Sequence, residues 1–416
     1  MGKLALVLSG GGARGAYEAG IIHYIRTGLP KEFASKNFDI CCGSSAGAIN
    51  IAAFVSMAQD PLLQGNRIKE LWLSLKQENI YERNLSAAFH FVSTSLGGIL
   101  RNLTTWDPFK LGQKAGPHFT SLVNTKPLHH FLAKNVSWDQ IHKNIHQGPI
   151  AAMSITVTNT RTGYSELFIS KKREVSYTGD YRSHEVNFEP EHIMASAAIP
   201  IFFPPVKVGK AFYTDGSLRL FTPLSPAIQL GANRALVIGL RHRVTPEEKK
   251  AYEEKEVLAP PSLAELLGRI MNGLFMDRLQ YDMEQLTRIN HLIEWSEKVY
   301  GKDYLDQINT MIQKEGITGD VASRGLQRIR VVEITPSEFV SQIFGRWFKR
   351  KNKGSFSFSA MEKLLTRVLD VDTEGGIELL SYLTFAKDYL KELIDLGYED
   401  AKKNRDKIME LMTEKS

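Results

Sequence analysis

Gly43-Ser44-Ser45-Ala46-Gly47 links an apolar run, Phe38 to Cys42, to a helix of small residues reaching about Met57. A serine between two glycines at a strand-to-helix turn is a way to present a nucleophile. The turn is sharp, its backbone is strained, and the hydroxyl stands at a helix N-terminus. The five-residue pattern alone is common, and a serine N-cap in a packed turn would look the same. Its place after a strand gives it weight. A hydroxyl needs a base before it attacks. The chain has 11 histidines, none in a tight motif. The sharper candidate is Asp215, at the end of the strand-like Ala211-Phe212-Tyr213-Thr214-Asp215 and before Gly216-Ser217. A free aspartate, with a pKa of about 3.9, is a poor base at neutral pH, so burial must raise it. An Asx turn or a cap is the bland reading of the same residue.

A second glycine cluster, Gly10-Gly11-Gly12-Ala13-Arg14-Gly15, follows the apolar strand Lys3 to Leu8 and opens a helix. Glycine lets backbone N–H groups approach a ligand, and the helix start adds positive potential. Positions 10, 12 and 15 fit a dinucleotide loop, but that site wants an acid at the end of the second strand. That strand ends Cys41-Cys42-Gly43, with Asp39 too early. A P-loop would need Gly-Lys-Ser/Thr, which is absent. An oxyanion hole needs only the N–H groups. A structural loop is the remaining alternative.

These pieces need a scaffold that brings strand ends together. Strand–turn–helix occurs twice before residue 57, the pattern of an α/β fold. Residues 66–145 read as helical with irregular stretches, with helix starts at Thr125 and at a capping box, Ser137 to Gln140. Strands return at Ile150–Thr158, Tyr164–Ser170, Ala211–Asp215, Ala235–Leu240 and Arg328–Ile334. Leu263, Leu266, Leu267, Ile270 and Leu274 share one face of a long helical stretch from Pro261 to about Tyr300. After Gly354 the chain reads as helical. The expected organisation is a catalytic domain over 1–344 with helical insertions at about 66–146 and 261–320. A basic linker, 345–358, and a C-terminal helical region, 359–416, would follow.

Composition narrows the class. The chain has 416 residues, 43% hydrophobic and 24% charged, an ordinary globular balance that excludes disorder as the main state. The only cysteines, Cys41 and Cys42, are adjacent, which excludes a disulfide framework and favours a reducing compartment. No apolar run is long enough for a transmembrane helix, and the N-terminal run is too short for a signal peptide. The expected location is cytoplasmic, with peripheral membrane docking. No metal-ligand spacing is visible, so no metal or cofactor is expected. Of the net charge of +6, five units lie in Arg346, Lys349, Arg350, Lys351 and Lys353. So local an excess argues against a nucleic-acid partner and for one basic patch. With Phe344, Trp347 and Phe348 beside it, that patch, 344–353, is the expected membrane-docking surface.

The three motifs, in this order, resemble the patatin-like phospholipase family: a glycine-rich oxyanion loop (Gly10–Gly15), a G-x-S-x-G nucleophile (Gly43–Gly47) and a D-G-G/A aspartate (Asp215–Ser217). Ala195 to Pro204 is similar to a further family block. The resemblance spans about residues 3–240 and thins out by about 335. Ser217 stands where the family usually has Gly or Ala, and Phe221-Thr222-Pro223 where Asn-x-Pro is common. The resemblance implies a three-layer α/β/α fold with a mostly parallel sheet. It implies a serine acyl hydrolase using a Ser45–Asp215 dyad without histidine, on phospholipids, lysophospholipids or other acyl esters. Oxyanion donors would come from Gly10, Gly11, Gly12 and Ala46. Arg14, Gly15, Gly43, Gly47 and Gly216 would support the loops. An acyltransferase on the same dyad, a non-catalytic lipid-binding protein and a nucleotide-binding oxidoreductase are the alternatives.

Overall fold

The computed structural model describes residues 2–83, 123–200, 202–253, 279–315, 327–353 and 374–413. Among them the strands are β1 (Lys3–Leu8), β2 (Ile40–Ser44), β3 (Glu82–Arg83), β4 (Val123–Asn124), β5 (Ala152–Asn159), β6 (Ser165–Lys171), β7 (Arg182–Glu185), β8 (Val206–Val208), β9 (Ala211–Asp215), β10 (Ala232–Ile238) and β11 (Arg330–Ile334). One sheet runs in the order β11-β10-β1-β2-β5-β6-β7, with β9 on β5 and β8 on β9. The pairs from β11 through to β5 are parallel, whereas β6 and β9 run antiparallel to β5. The sheet is thus mixed and mostly parallel, in an α/β architecture.

Alternation along β1 shows why the sheet is covered on both sides. Leu4, Leu6 and Leu8 enter the larger core, while Ala5 and Val7 enter a second one on the opposite face. Side chains two apart point to one face of a strand, so a strand apolar at every position must be buried twice. The helices Gly15–Thr27, Ala46–Ser56 and Lys387–Lys403 contribute to the larger core, and Leu224–Gln229 to the smaller. Helices on both faces of the sheet make three layers. Close packing of the Gly15–Thr27 and Lys387–Lys403 helices depends on glycine at the crossing. A Cβ on Gly20 would stand 2.0 Å from the Ile394 carbonyl oxygen, and one on Gly397 2.1 Å from that of Tyr17.

The arrangement along β5 positions the site. β2 is short and stops at Ser44, opposite Thr156. The next residue of β5, Val157, faces Asp215 at the end of antiparallel β9. β6 pairs along the whole other edge, at Ala152 to Thr158. β2 and β9 therefore share one edge of β5 and meet end to end. The aspartate reaches the rim by descending onto it, not as the end of another parallel strand.

Several expectations need correction. β3, β4, β7 and β8 were not expected, because strands this short carry little apolar alternation. The helix Trp138–His146 starts at Ser137 as its capping signature suggests, yet the Ser137 side chain makes no capping bond. The apolar stripe from Leu263 to Leu274 and the segment Ser359–Leu369 lie outside the described residues. Part of the expected linker is helix, Val340–Lys353. Its aromatics recur at i, i+3 and i+4, and this stripe turns inward. Phe344 and Trp347 are buried, with ring centroids 5.3 and 5.7 Å from Tyr389. Arg346 pairs with Glu338, Arg350 with Glu392 and Lys351 with Asp388. The expected docking surface thus has neither exposed Phe344 and Trp347 rings nor wholly unpaired basic charges. Leu379, Leu390 and Leu411 enter the same core as β1, so the C-terminal helices are not a separate unit.

Both cysteines are free and buried, with the thiols pushed up by burial, Cys41 also by Asp39 and Cys42 also by Cys41. No helix among the described residues is long and apolar enough to cross a membrane. The packing of this segment is tested by thermal or chemical unfolding. Trp347→Ala should destabilise by about 3–5 kcal/mol, the cost of emptying a large core site. Exposed Lys349→Ser should stay within about 0.5 kcal/mol. Equal effects would place the aromatic face in solvent.

Candidate functional site

Ser45 follows the last residue of β2 and is the N-cap of the helix Ala46–Ser56. Among the described residues it alone is a non-glycine with positive φ, at φ 50° and ψ −118°. That strain is held by neighbours. The Ser45 N–H donates to Ser196 Oγ (2.9 Å), whose own hydroxyl donates to the Thr156 carbonyl (2.7 Å). The Gly47 N–H donates to the Ser9 carbonyl, tying the elbow to the end of β1. The turn leaves no room at its flanks, since a Cβ on Gly43 would lie 2.6 Å from the Gly47 carbonyl oxygen.

The Ser45 hydroxyl donates to Asp215 Oδ2 at 2.6 Å. The other carboxylate oxygen, Oδ1, accepts the Ser217 N–H at 2.8 Å. The Asx turn and the bond to the serine thus coexist, one on each oxygen, and Gly216 opens the short turn Gly216–Leu218. The backbone of Asp215 is pinned too. Its N–H donates to the Ala198 carbonyl, and its carbonyl accepts from Thr158 Oγ1. Asp215 is fully buried and Ser45 is 3% exposed. Burial raises the Asp215 pKa to about 6, against the opposing pull of bonds from Ser45 and Ser217. Three described histidines pair with glutamates instead, His184 with Glu166, His129 with Glu191 and His242 with Glu248.

The glycine loop lies beside this pair. Gly11, Gly12, Ser45 and Asp215 line one small cavity. The Gly10 N–H donates to the Phe221 carbonyl, so Gly10 is spent on anchoring the loop and is not an oxyanion donor. Ser9 joins in, its hydroxyl 2.7 Å from that of Thr222. Gly12 has φ +55°, and a Cβ there would lie 2.3 Å from the Tyr382 carbonyl oxygen, so only glycine fits. The Gly15 N–H bonds back to the carbonyls of Gly12 and Ala13, closing the loop. Ala46 begins the elbow helix, where N–H groups have no acceptor within the helix. A second cavity adjoins Ser45 and Ala46 and is lined with Trp72, Leu128 and Phe131.

Arg14 is 3% exposed and does not face the dyad. It pairs with Glu378 at 2.7 Å, donates to Tyr382 Oη at 2.9 Å and lies 3.7 Å over the Tyr382 ring. Burial alone would lower its pKa, but Glu378 and Tyr382 hold it above its ordinary value. The sequence did not single out Glu378 or Tyr382, which lie 364 and 368 positions from Arg14. Ser196 was present in a quoted block without a role. Glu18 and Asn50 were missed as well. Asn50 Nδ2 donates to Glu18 (2.8 Å) and Trp72 Nε1 to Asn50 Oδ1 (2.6 Å), joining the glycine-loop helix to the elbow helix. A carboxyl and an amide inside apolar helices were the available signal. Of the two places where the resembled pattern is broken, the Ser217 hydroxyl lies 3.2 Å from that of Ser44 and the Phe221 carbonyl accepts the Gly10 N–H, so both substitutes are engaged.

A strained serine hydroxyl on a buried carboxylate, with N–H groups and an apolar cavity nearby, is an arrangement for acyl transfer from an apolar ester. The family model described as Patatin-like phospholipase matches residues 6–228, more than half of the chain, and the protein belongs to that family. Membership makes it, by class, a lipid hydrolase. Solved structures with a similar course include VipD from Legionella pneumophila, 14% identical, covering 95% of this chain and 67% of that one with a TM-score of 0.27. They also include full-length ExoU with SpcU from Pseudomonas aeruginosa, 16% identical, covering 98% and 78% with a TM-score of 0.26. A further structure of the type III effector ExoU is 15% identical, covering 96% and 92% with a TM-score of 0.27. No curated protein matches the chain significantly. Family membership rests on the sequence match.

Asp215 accepts a proton only when ionised. Activity limited by this group should rise with pH and level off above about 6, the value to which burial raises it. Ser196→Ala removes the acceptor of the Ser45 N–H and should lower kcat more than it raises KM. A pH–rate profile and steady-state kinetics check both. A flat profile from pH 4 to 8 would remove Asp215 as the titrating base.

Proposed function

We propose that this protein hydrolyses carboxylic esters of phospholipids or lysophospholipids through an acyl-Ser45 intermediate. The observation that carries the reading is the 2.6 Å bond from Ser45 Oγ to the buried Asp215 carboxylate. Asp215 takes the Ser45 proton as the oxygen attacks the acyl carbonyl. The tetrahedral oxyanion forms beside the N–H groups of Gly11, Gly12 and Ala46. One such donor is worth about 10²–10³ in rate in a serine hydrolase. Collapse of the intermediate expels the alcohol, which Asp215 protonates. Asp215 then draws a proton from water, which attacks the acyl-enzyme, and returns that proton to Ser45 Oγ as the fatty acid leaves.

The apolar cavity next to Ser45 supports a fatty-acyl substrate. The Ile49, Leu75 and Ile80 side chains lining it offer an alkyl chain contact without demanding hydrogen bonds.

A panel of phospholipid and lysophospholipid vesicles tests the reading by release of fatty acid. Wild type should liberate it, and Ser45→Ala should not. Asp215→Asn should lose several orders of magnitude while keeping its melting temperature within a few degrees. A fluorophosphonate probe should label wild type and not Ser45→Ala. Labelling that survives in Ser45→Ala would move the nucleophile elsewhere.

A further inference from the structure

We propose that Leu383 and Phe385 set the length of acyl chain that Ser45 accepts. The inference rests on the acyl-ester reading above and deepens it. It assigns specificity to a segment about 150 residues beyond the end of the family match at residue 228.

The cavity over the dyad and the larger apolar cavity share Gly12, Ser45, Ile199 and Leu383 in their linings. Leu383 therefore stands at the neck where the reacting carbonyl's cavity opens into the space for an alkyl chain. Phe385 lines only the larger cavity, and so bounds the chain beyond the neck. Both side chains are buried. A larger side chain at 383 closes the neck. A smaller one at 385 lengthens the space behind it.

A wall selects by shape only if it stays in place, and this one is fastened at several points. Arg14 grips Glu378, Ser381 and Tyr382 at once. Tyr389 Oη donates to the Ser381 carbonyl at 3.1 Å. Gly12 lies against the Tyr382 backbone with no space between. The glycine loop that would hold the oxyanion and the wall that would measure the chain are thus one packed unit. In an apolar pocket, one methylene too many or too few changes kcat/KM by about 10–200-fold.

The test uses the full chain and two esters, p-nitrophenyl butyrate and p-nitrophenyl decanoate, read as the ratio of their kcat/KM values. Leu383→Trp should lower the decanoate-to-butyrate ratio at least tenfold, and Phe385→Ala should raise it. A second measurement needs no turnover: displacement of a bound fluorescent fatty acid, cis-parinaric acid, by decanoate. Leu383→Trp should weaken displacement by decanoate at least tenfold, and Phe385→Ala should not. Thermal unfolding checks that each variant folds. If Leu383→Trp does not fold, Leu383→Phe takes its place. Unchanged ratios and displacement, or equal loss on both esters, would overturn the assignment. A wild type that cleaves neither ester, while its variants still differ in displacement, would overturn the hydrolase reading and leave the wall assignment standing.

Discussion

A carboxylate taken out of water is stable only if other donors replace its hydration. At Asp215 the Ser217 N–H serves one oxygen and the Ser45 hydroxyl the other, with the Ser217 hydroxyl as a further donor. The first is fixed backbone and the second is the group that would react. The site's chemistry and the satisfaction of its buried charge thus share a single hydrogen bond. The rest of the neighbourhood maintains it. Asp215 is held at both its N–H and its carbonyl, and Ser45 is held at its N–H by Ser196. Both sets of bonds lead back to one strand, β5, through Thr156 and Thr158. A shift of β2 or β9 along β5 would part the serine from the acid.

The same constraint explains the pKa. These donors compensate the charge only in part, and burial outweighs them, which brings the carboxyl to about 6. More donors would make Asp215 a weaker base. Fewer would keep it protonated at neutral pH, unable to accept the Ser45 proton.

The elbow, the glycine loop and Asp215 were legible because each is a local device. A turn that needs glycine beside a serine, and an acid before a glycine turn, leave their marks within five or six residues. The apolar runs of β1 and β2, each leading through a glycine turn into a helix, gave the α/β class for the same reason. What was not legible depends on distance. That Gly10 is an anchor follows from the Phe221 carbonyl, which no spacing announces. Arg14 was legible as a support of the glycine loop, but its partners were not, since Glu378 and Tyr382 lie more than 360 residues away. The basic stretch at 346–353 read as a linker with membrane-facing aromatics, although Phe344, Trp347 and Phe348 stand at a three-and-four helical spacing. That stripe belongs to a core formed by helices further along. β9 was recognised as a strand, but its direction against β5 is a property of topology, and it changes how the acid arrives.

The Arg14–Glu378 pair joins positions 364 residues apart. At roughly 5–20 residues per second of synthesis, Glu378 follows Arg14 out of the ribosome by about 20–70 s. Through that interval β1, β2, β5 and β9 are all made, so the serine and its acid can meet. The wall over them does not yet exist, and Arg14 remains in water. Completion of the cavity therefore waits for that later segment. A nascent chain stalled before residue 374 would carry the pair of reacting groups without the enclosure that excludes solvent from them.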